Sequence, residues 1–208
     1  MANEDKPMGG IVVGRVGAVT SNHSTEQFLI PSSDSNNYFI GDFVDLAGTA
    51  NSTVISNGTT EHAIGTLPTI TKATAGDNNP IVGVITGFEG NPDDNGVVYG
   101  KASTNRVAKV CTDPDVLLLI QCDSGANLAV TDIGANANLV FTHAGSTTTG
   151  RSGDELNIGA GSATTQTYQL KIHRVSTVRG RNEVGAAHCV VEASINNHRY
   201  ARYYKAGI

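Results

Sequence analysis

The chain has 208 residues, 39% of them apolar and only 16% charged, with 24 glycines, no tryptophan and a formal net charge of −5. A chain of this size buries roughly 70% of its unfolded surface, enough for one real core. The low charge excludes a coiled coil or a charged disordered tail, and no run approaches the about 18 apolar residues of a membrane-spanning helix.

The first seven residues are polar and acidic and do not resemble a secretory signal, so synthesis in a cytosol is expected. Residues 1–25 read as an extended arm in which Ile11, Val12 and Val13, then Val16 to Val19, form apolar islands broken by glycine. They lack a helical period and could add a strand to a sheet. From residue 26 onward a single all-β domain is expected, running to residue 208.

Strands are expected at residues 38–46 and 80–88. Residues 116–120 (VLLLI) are apolar on both faces, as a central strand requires. Tyr168, Leu170 and Ile172 alternate with Gln169, Lys171 and His173, the period of a half-buried strand. Cys189, Val191, Ala193 and Ile195 alternate in the same way. The one helical candidate is a turn or two within residues 126–133.

Loops separate the strands. One runs from Gly48 to Thr66 with Asn57-Gly58 as its turn, and a second spans residues 90–96. A third, residues 143–153, is nearly all small and polar, and is expected to be mobile or pinned by a partner. Many short strands between turn signals argue for a β-barrel or a two-sheet sandwich, with a jelly roll among the options.

No spacing carries catalysis. The run Gly96 to Lys101 lacks both the length and the hydroxyl of a phosphate-binding loop. Asn91, Asp93 and Asn95 match half of a calcium loop, but Ala102 stands where the bidentate Glu belongs. The six histidines show no metal spacing, and Asp113 and Asp115 flank a turn proline rather than reading as a glycosidase pair. Cys111, Cys122 and Cys189 read as free buried thiols. The chain is therefore expected not to be an enzyme and to use neither metal nor cofactor.

Charge is uneven. Residues 171–208 hold seven cations against Glu183 and Glu192, a balance of +5, so the first 170 residues carry −10. Most of the chain would repel phosphate, which argues against nucleic acid and for a protein partner. Near the C-terminus Arg199, Tyr200, Arg202, Tyr203 and Tyr204 join cations to aromatic rings, the residue types that anchor protein interfaces.

In sequence the chain resembles a family of small Gly/Ala/Thr-rich structural proteins of tailed bacteriophages, the capsid decoration or cement proteins. The resemblance lies in YFIGDFVDLAG at 38–48, TKATAGDNNPIVGV at 71–84, GFE at 87–89 and TDPDV at 112–116. It continues through DSG at 123–125, TDIGANANL at 131–139, QLKI at 169–172 and INNH at 195–198. It covers roughly residues 36–208, and the order of the segments carries it more than any one of them.

The resemblance implies a virion protein made in the bacterial host cytoplasm. Such a protein sits on the outer capsid surface, cements neighbouring major capsid protein subunits and self-associates, as a homotrimer first and a dimer next. A tail or connector component is the runner-up, and a small phage hydrolase or carbohydrate-binding module the alternative of another class. The expected contact residues are Ile11, Val12 and Val13 in the arm, with Arg199, Tyr200, Arg202, Tyr203 and Tyr204 at the ending.

Overall fold

A computed structural model describes residues 3–17, 25–58, 60–90, 96–123, 125–159, 161–177 and 182–201. The chain is all-β. Its strands are β1 (Ile11–Arg15), β2 (Thr25–Ile30), β3 (Phe43–Ala50), β4 (Ile55–Ser56), β5 (Glu61–His62), β6 (Pro68–Lys72), β7 (Gly83–Phe88), β8 (Arg106–Cys111), β9 (Val116–Gln121), β10 (Asn136–Val140), β11 (Glu155–Asn157), β12 (Leu170–Val175) and β13 (Val190–Ile195). The helical candidate is one 3₁₀ turn, Val130–Asp132.

Five strands close into a barrel in the order β2-β6-β3-β7-β8, joined by the antiparallel pairing of β2 with β8. Its interior is filled by Phe28, Ile30, Val44, Ile70, Val82, Ile85, Ala108 and Val110, with Tyr38 among them. The Tyr38 ring is fully buried, and its hydroxyl donates to Asp34 and accepts from the Lys72 N–H. Burial, with Asp34 beside it, pushes the Tyr38 phenol well above its ordinary range. Gly100 closes on this residue because a Cβ there would stand 3.1 Å from Tyr38 and 3.2 Å from Ile30 and Phe88. Within the run at 96–101, Gly100 thus serves barrel packing.

Six strands form the second sheet, in the order β1-β9-β13-β12-β10-β11. The sheet curls, since Leu156 of β11 bridges back to Cys122, just past β9. Its concave face carries Leu118, Ile120, Leu139, Leu156, Ile172 and Val191, and this core continues onto Phe43, Ile81, Val84 and Cys111 from the outside of the barrel. Burying each large apolar side chain contributes about 1.5–3 kcal/mol, so this shared layer is the main apolar bond between the two bodies.

β9 is an interior strand, second from one end of the sheet, and is apolar on both faces, as its sequence implies. β13 departs from the half-buried expectation, being buried at every position. Its outward residues are Val190, Glu192 and Ser194. Arg174 of β12 reaches over Glu192 at 2.6 Å and His173 meets Ser194 at 2.8 Å, so long neighbours roof the short ones. The turn at Asp113 to Asp115 does not fold β8 back on β9. It hands the chain from the barrel to the sheet, and the three cysteines are buried and free.

Polar side chains fix how the two bodies sit. Gln169, expected on a solvated face, is fully buried. Its Nε2 donates to the carbonyls of Thr74 (2.8 Å) and Asn79 (3.0 Å), and its Oε1 accepts from the N–H groups of Gly76 and Leu139, each at 3.1 Å. One amide therefore satisfies four backbone groups, three on the β6–β7 connection of the barrel and one in β10 of the sheet. Asp154, just before β11, accepts from the Phe43 N–H at 3.0 Å, and Asp42 accepts from the Phe39 N–H and pairs with Lys72 at 3.1 Å. Burial, then the nearby Asp42 charge, raises the Asp154 carboxyl to about 7.

Loop 143–153 is pinned at several points to its own barrel. A Cβ at Gly145 would stand 2.1 Å from the Phe39 ring, and the Ile40 N–H donates to the Gly150 carbonyl at 2.8 Å. The smallness of this loop serves close packing.

Gln169→Met keeps the length of the side chain and removes its head, leaving four buried backbone groups without that partner. It should cost at least about 3 kcal/mol in urea unfolding with an unchanged slope, and a loss below about 1 kcal/mol would show that the amide does not hold the seam. Asp154 takes up a proton on folding between pH about 4, its unfolded value, and about 7. Its contribution is therefore complete below that window and is lost as pH rises through it, by about 1.4 kcal/mol per unit. Asp154→Asn should flatten this slope in pH-resolved denaturation while keeping an acceptor for Phe43.

Candidate protein-contact surface

The arm expected to be free is part of the fold. Ile11–Arg15 is extended and does add a strand to a sheet, but the sheet is the chain's own: β1 pairs antiparallel with β9, Ile11 opposite Leu119 and Arg15 opposite Val116. The preceding glycines permit close approach. Gly9, at φ +66°, would place a Cβ 2.4 Å from the Gly41 carbonyl oxygen, and the Gly10 N–H donates to that carbonyl at 2.9 Å. Gly10 itself lies against the Phe43 ring. Glycine that reads as slack in the sequence is here bare backbone threaded between Gly41 and Ser152.

β1 ends the sheet, and no described strand pairs with its outer edge. A bulge falls at Val13, because Val12 faces Leu118 and Gly14 already faces Leu117. The bulge turns Val13 out of the ladder, leaving it 40% exposed, with Val16 at 38%. Ile11 and Val12 are half-buried, and Val12 packs on the shared core. Of the three expected contact residues in the arm, only Val13 is open. Beside this edge lies an open hollow of about 330 Å³ with Val16, Leu117 and His173 in its lining and the Arg174–Glu192 pair at one side.

At the other end, Arg199 pairs with Asp45 of β3 through two hydrogen bonds, Nε donating at 2.9 Å. Its charge is largely met within the chain, while the side chain stays 41% exposed. The Arg199 N–H also donates to the Ile81 carbonyl, where the chain crosses from sheet to barrel. Tyr200 is 47% exposed, and burial of its ring beside Glu26 and Asp45 raises its phenol. Arg202, Tyr203 and Tyr204 lie outside the described residues.

The turn at Asp113 and Asp115 stands between the two regions. Asp113 takes Arg15 at 3.0 Å and Asp115 takes it at 3.4 Å, so the suspected carboxylate pair is occupied by a cation. The same carboxylates act on the ring of His198, which burial nonetheless lowers to about 4 and keeps neutral. His198 Nδ1 accepts from the Tyr200 N–H at 3.0 Å. Val13 and Tyr200 thus belong to segments that flank one turn.

Sequence reasoning missed Leu117, Arg174 and Glu192, because each belongs to a strand whose outer face is defined only by the pairing of β9, β13 and β12. It also missed the hairpin of β4 and β5, whose flanks expose Val54 (54%) and Ile64 (64%); here Asn57-Gly58 does mark the turn. Family models, curated proteins and solved structures offer no match to this chain.

Gly9→Ala should destabilise the whole domain by about 2–4 kcal/mol, since it combines a left-handed backbone with a backbone clash. Removing residues 1–20 should expose β9 and lower the unfolding midpoint. A truncated chain as stable as the parent would restore the free-arm reading.

Proposed function

We propose that the chain is a structural virion protein that binds the outer capsid surface of a tailed bacteriophage and cements neighbouring major capsid protein subunits. The observation that carries this reading is the bulged end of the sheet, which presents Val13 and Val16 beside a hollow floored by Leu117. Val13 and Val16 place a small apolar patch on a strand edge, a surface that a protein docking many times on a repeating shell can use. The resemblance of the segment order to that of decoration proteins supports the same reading.

Contact is made through side chains rather than by strand addition. A bulge with Arg15 after it blunts the edge against another strand, which keeps copies from pairing indiscriminately. Binding then depends on burying Val13, Val16 and Tyr200, with the Arg174–Glu192 pair at the border. Self-association about a capsid axis, as a trimer before a dimer, belongs to this reading because closed symmetry repeats one patch at equivalent sites.

The test is co-sedimentation with shells assembled from the major capsid protein encoded in the same genome. The parent should co-sediment, and Val13→Asp with Val16→Asp should weaken binding at least tenfold while leaving the unfolding midpoint within a few degrees. Raising salt should release little protein, because apolar contacts are not screened as exposed ion pairs are. Equal decoration by parent and double variant would move the contact away from β1, and absence of the protein from purified virions would end the reading.

A further inference from the structure

Asp5, His143 and Glu155 come together from three segments where the N-terminal stretch crosses the sheet, and His188 approaches Asp5 from a fourth. Asp5 precedes β1, His143 follows β10, Glu155 opens β11 and His188 precedes β13. One donor atom each from Asp5, His143 and Glu155 lies within 4.8 Å of the others. His143 Nε2 is 3.6 Å from one Asp5 oxygen, and His188 Nδ1 is 3.6 Å from the other.

Both separations are too long for a hydrogen bond. Each is close to the roughly 3.4 Å between two donors that share a tetrahedral ion at about 2.1 Å, with the two imidazoles facing different oxygens of Asp5. His188 Nδ1 is shut off from solvent and has no hydrogen-bond partner. Glu155 is 1% exposed; its Oε2 accepts from His143 Nδ1 at 2.7 Å and from the Thr142 hydroxyl at 2.8 Å, while its Oε1 has no hydrogen-bond partner.

An ion would take the place of the proton on His143 Nε2. With the Nδ1 proton of His143 held by Glu155, the Nε2 lone pair faces Asp5. A carboxylate behind an imidazole, orienting its other nitrogen toward an ion, is the arrangement that supports metal-bound histidine. We propose that Asp5, His143 and His188 bind one divalent transition-metal ion of the zinc class, with Glu155 orienting His143 from behind. Two imidazoles and a carboxylate favour zinc, cobalt or nickel over calcium or magnesium, which prefer oxygen donors.

The ion would staple the start of the chain. Gln121 already holds this stretch, accepting from the Lys6 N–H at 3.0 Å and donating to the Glu4 carbonyl at 2.9 Å. A metal on Asp5 ties the same stretch to the β10–β11 connection and to the turn before β13. This inference does not depend on the capsid reading.

The experiment uses the untagged full chain, stripped with EDTA and titrated with Co²⁺ and Zn²⁺, with Mg²⁺ and Ca²⁺ in parallel. The expected result is one equivalent of Co²⁺ with visible d–d absorption and no thiolate charge-transfer band, displaced by Zn²⁺. The unfolding midpoint should rise roughly 5–10 °C at hundredfold excess of Zn²⁺ over its Kd. Asp5→Asn, His143→Ala and His188→Gln should each weaken Co²⁺ binding at least tenfold. Glu155→Gln should weaken it about 10–100-fold while leaving the shape of the Co²⁺ spectrum unchanged. Asp5 is exposed and, among the described residues, makes no hydrogen bond to a buried group, so Asp5→Asn should unfold at the parent's temperature in EDTA, which separates lost binding from lost fold. The proposal is overturned if no ion saturates, if a thiolate band appears, or if the Asp5→Asn, His143→Ala double variant binds as the parent does.

Discussion

Everything in this fold depends on how a closed barrel and a curled sheet are held in one orientation. Apolar packing supplies most of the attraction, but it is non-directional and would tolerate sliding. Direction comes from Gln169, whose single amide satisfies backbone groups on both bodies. A buried polar group left half-satisfied costs more than an apolar one, so any slip of the seam is penalised at several atoms at once. Asp154 adds a second tie, reaching from the start of β11 to the Phe43 N–H. The two ties lie on different strands of the sheet, which restrains rotation as well as translation.

The sequence made the class of fold legible, and the strands with a clean pattern most of all. Residues 116–120 carry apolar side chains on both faces because Val116, Leu118 and Ile120 enter the shared core while Leu117 and Leu119 lie largely covered on the opposite face, and the alternation after Tyr168 marks β12. It misled where one residue type has two physical uses. Gly9, Gly10 and Gly145 read as flexible, yet each stands where a Cβ would collide with backbone or ring. Gln169 occupies the polar phase of an alternating strand, and nothing local distinguishes a solvated amide from one that four backbone groups require.

The candidate contact surface was half legible for a similar reason. Apolar islands in the arm announced a strand, but not which sheet would receive it. Only the register of β1 on β9 shows that Val12 turns inward and Val13 outward. The ending was read by composition as a cationic patch, whereas Arg199 finds Asp45, a residue 154 positions earlier. The Asp5, His143 and His188 grouping was illegible outright, because a metal motif is recognised by short spacings and these ligands come from distant segments.

The pairing of β1 with β9 also sets a timetable for synthesis. The barrel strands occupy one continuous stretch, from Thr25 to Cys111, and can close as soon as that stretch has left the ribosome. β1 is made before any of them, yet its partner is translated only after the whole barrel, and β13, on the far flank of β9, comes last of all. The first strand to emerge therefore waits unpaired while a complete barrel forms behind it. Such a nascent strand is a natural place for a chaperone to bind or for premature association between chains, because Ile11, Val12 and Val13 stay uncovered until β9 arrives.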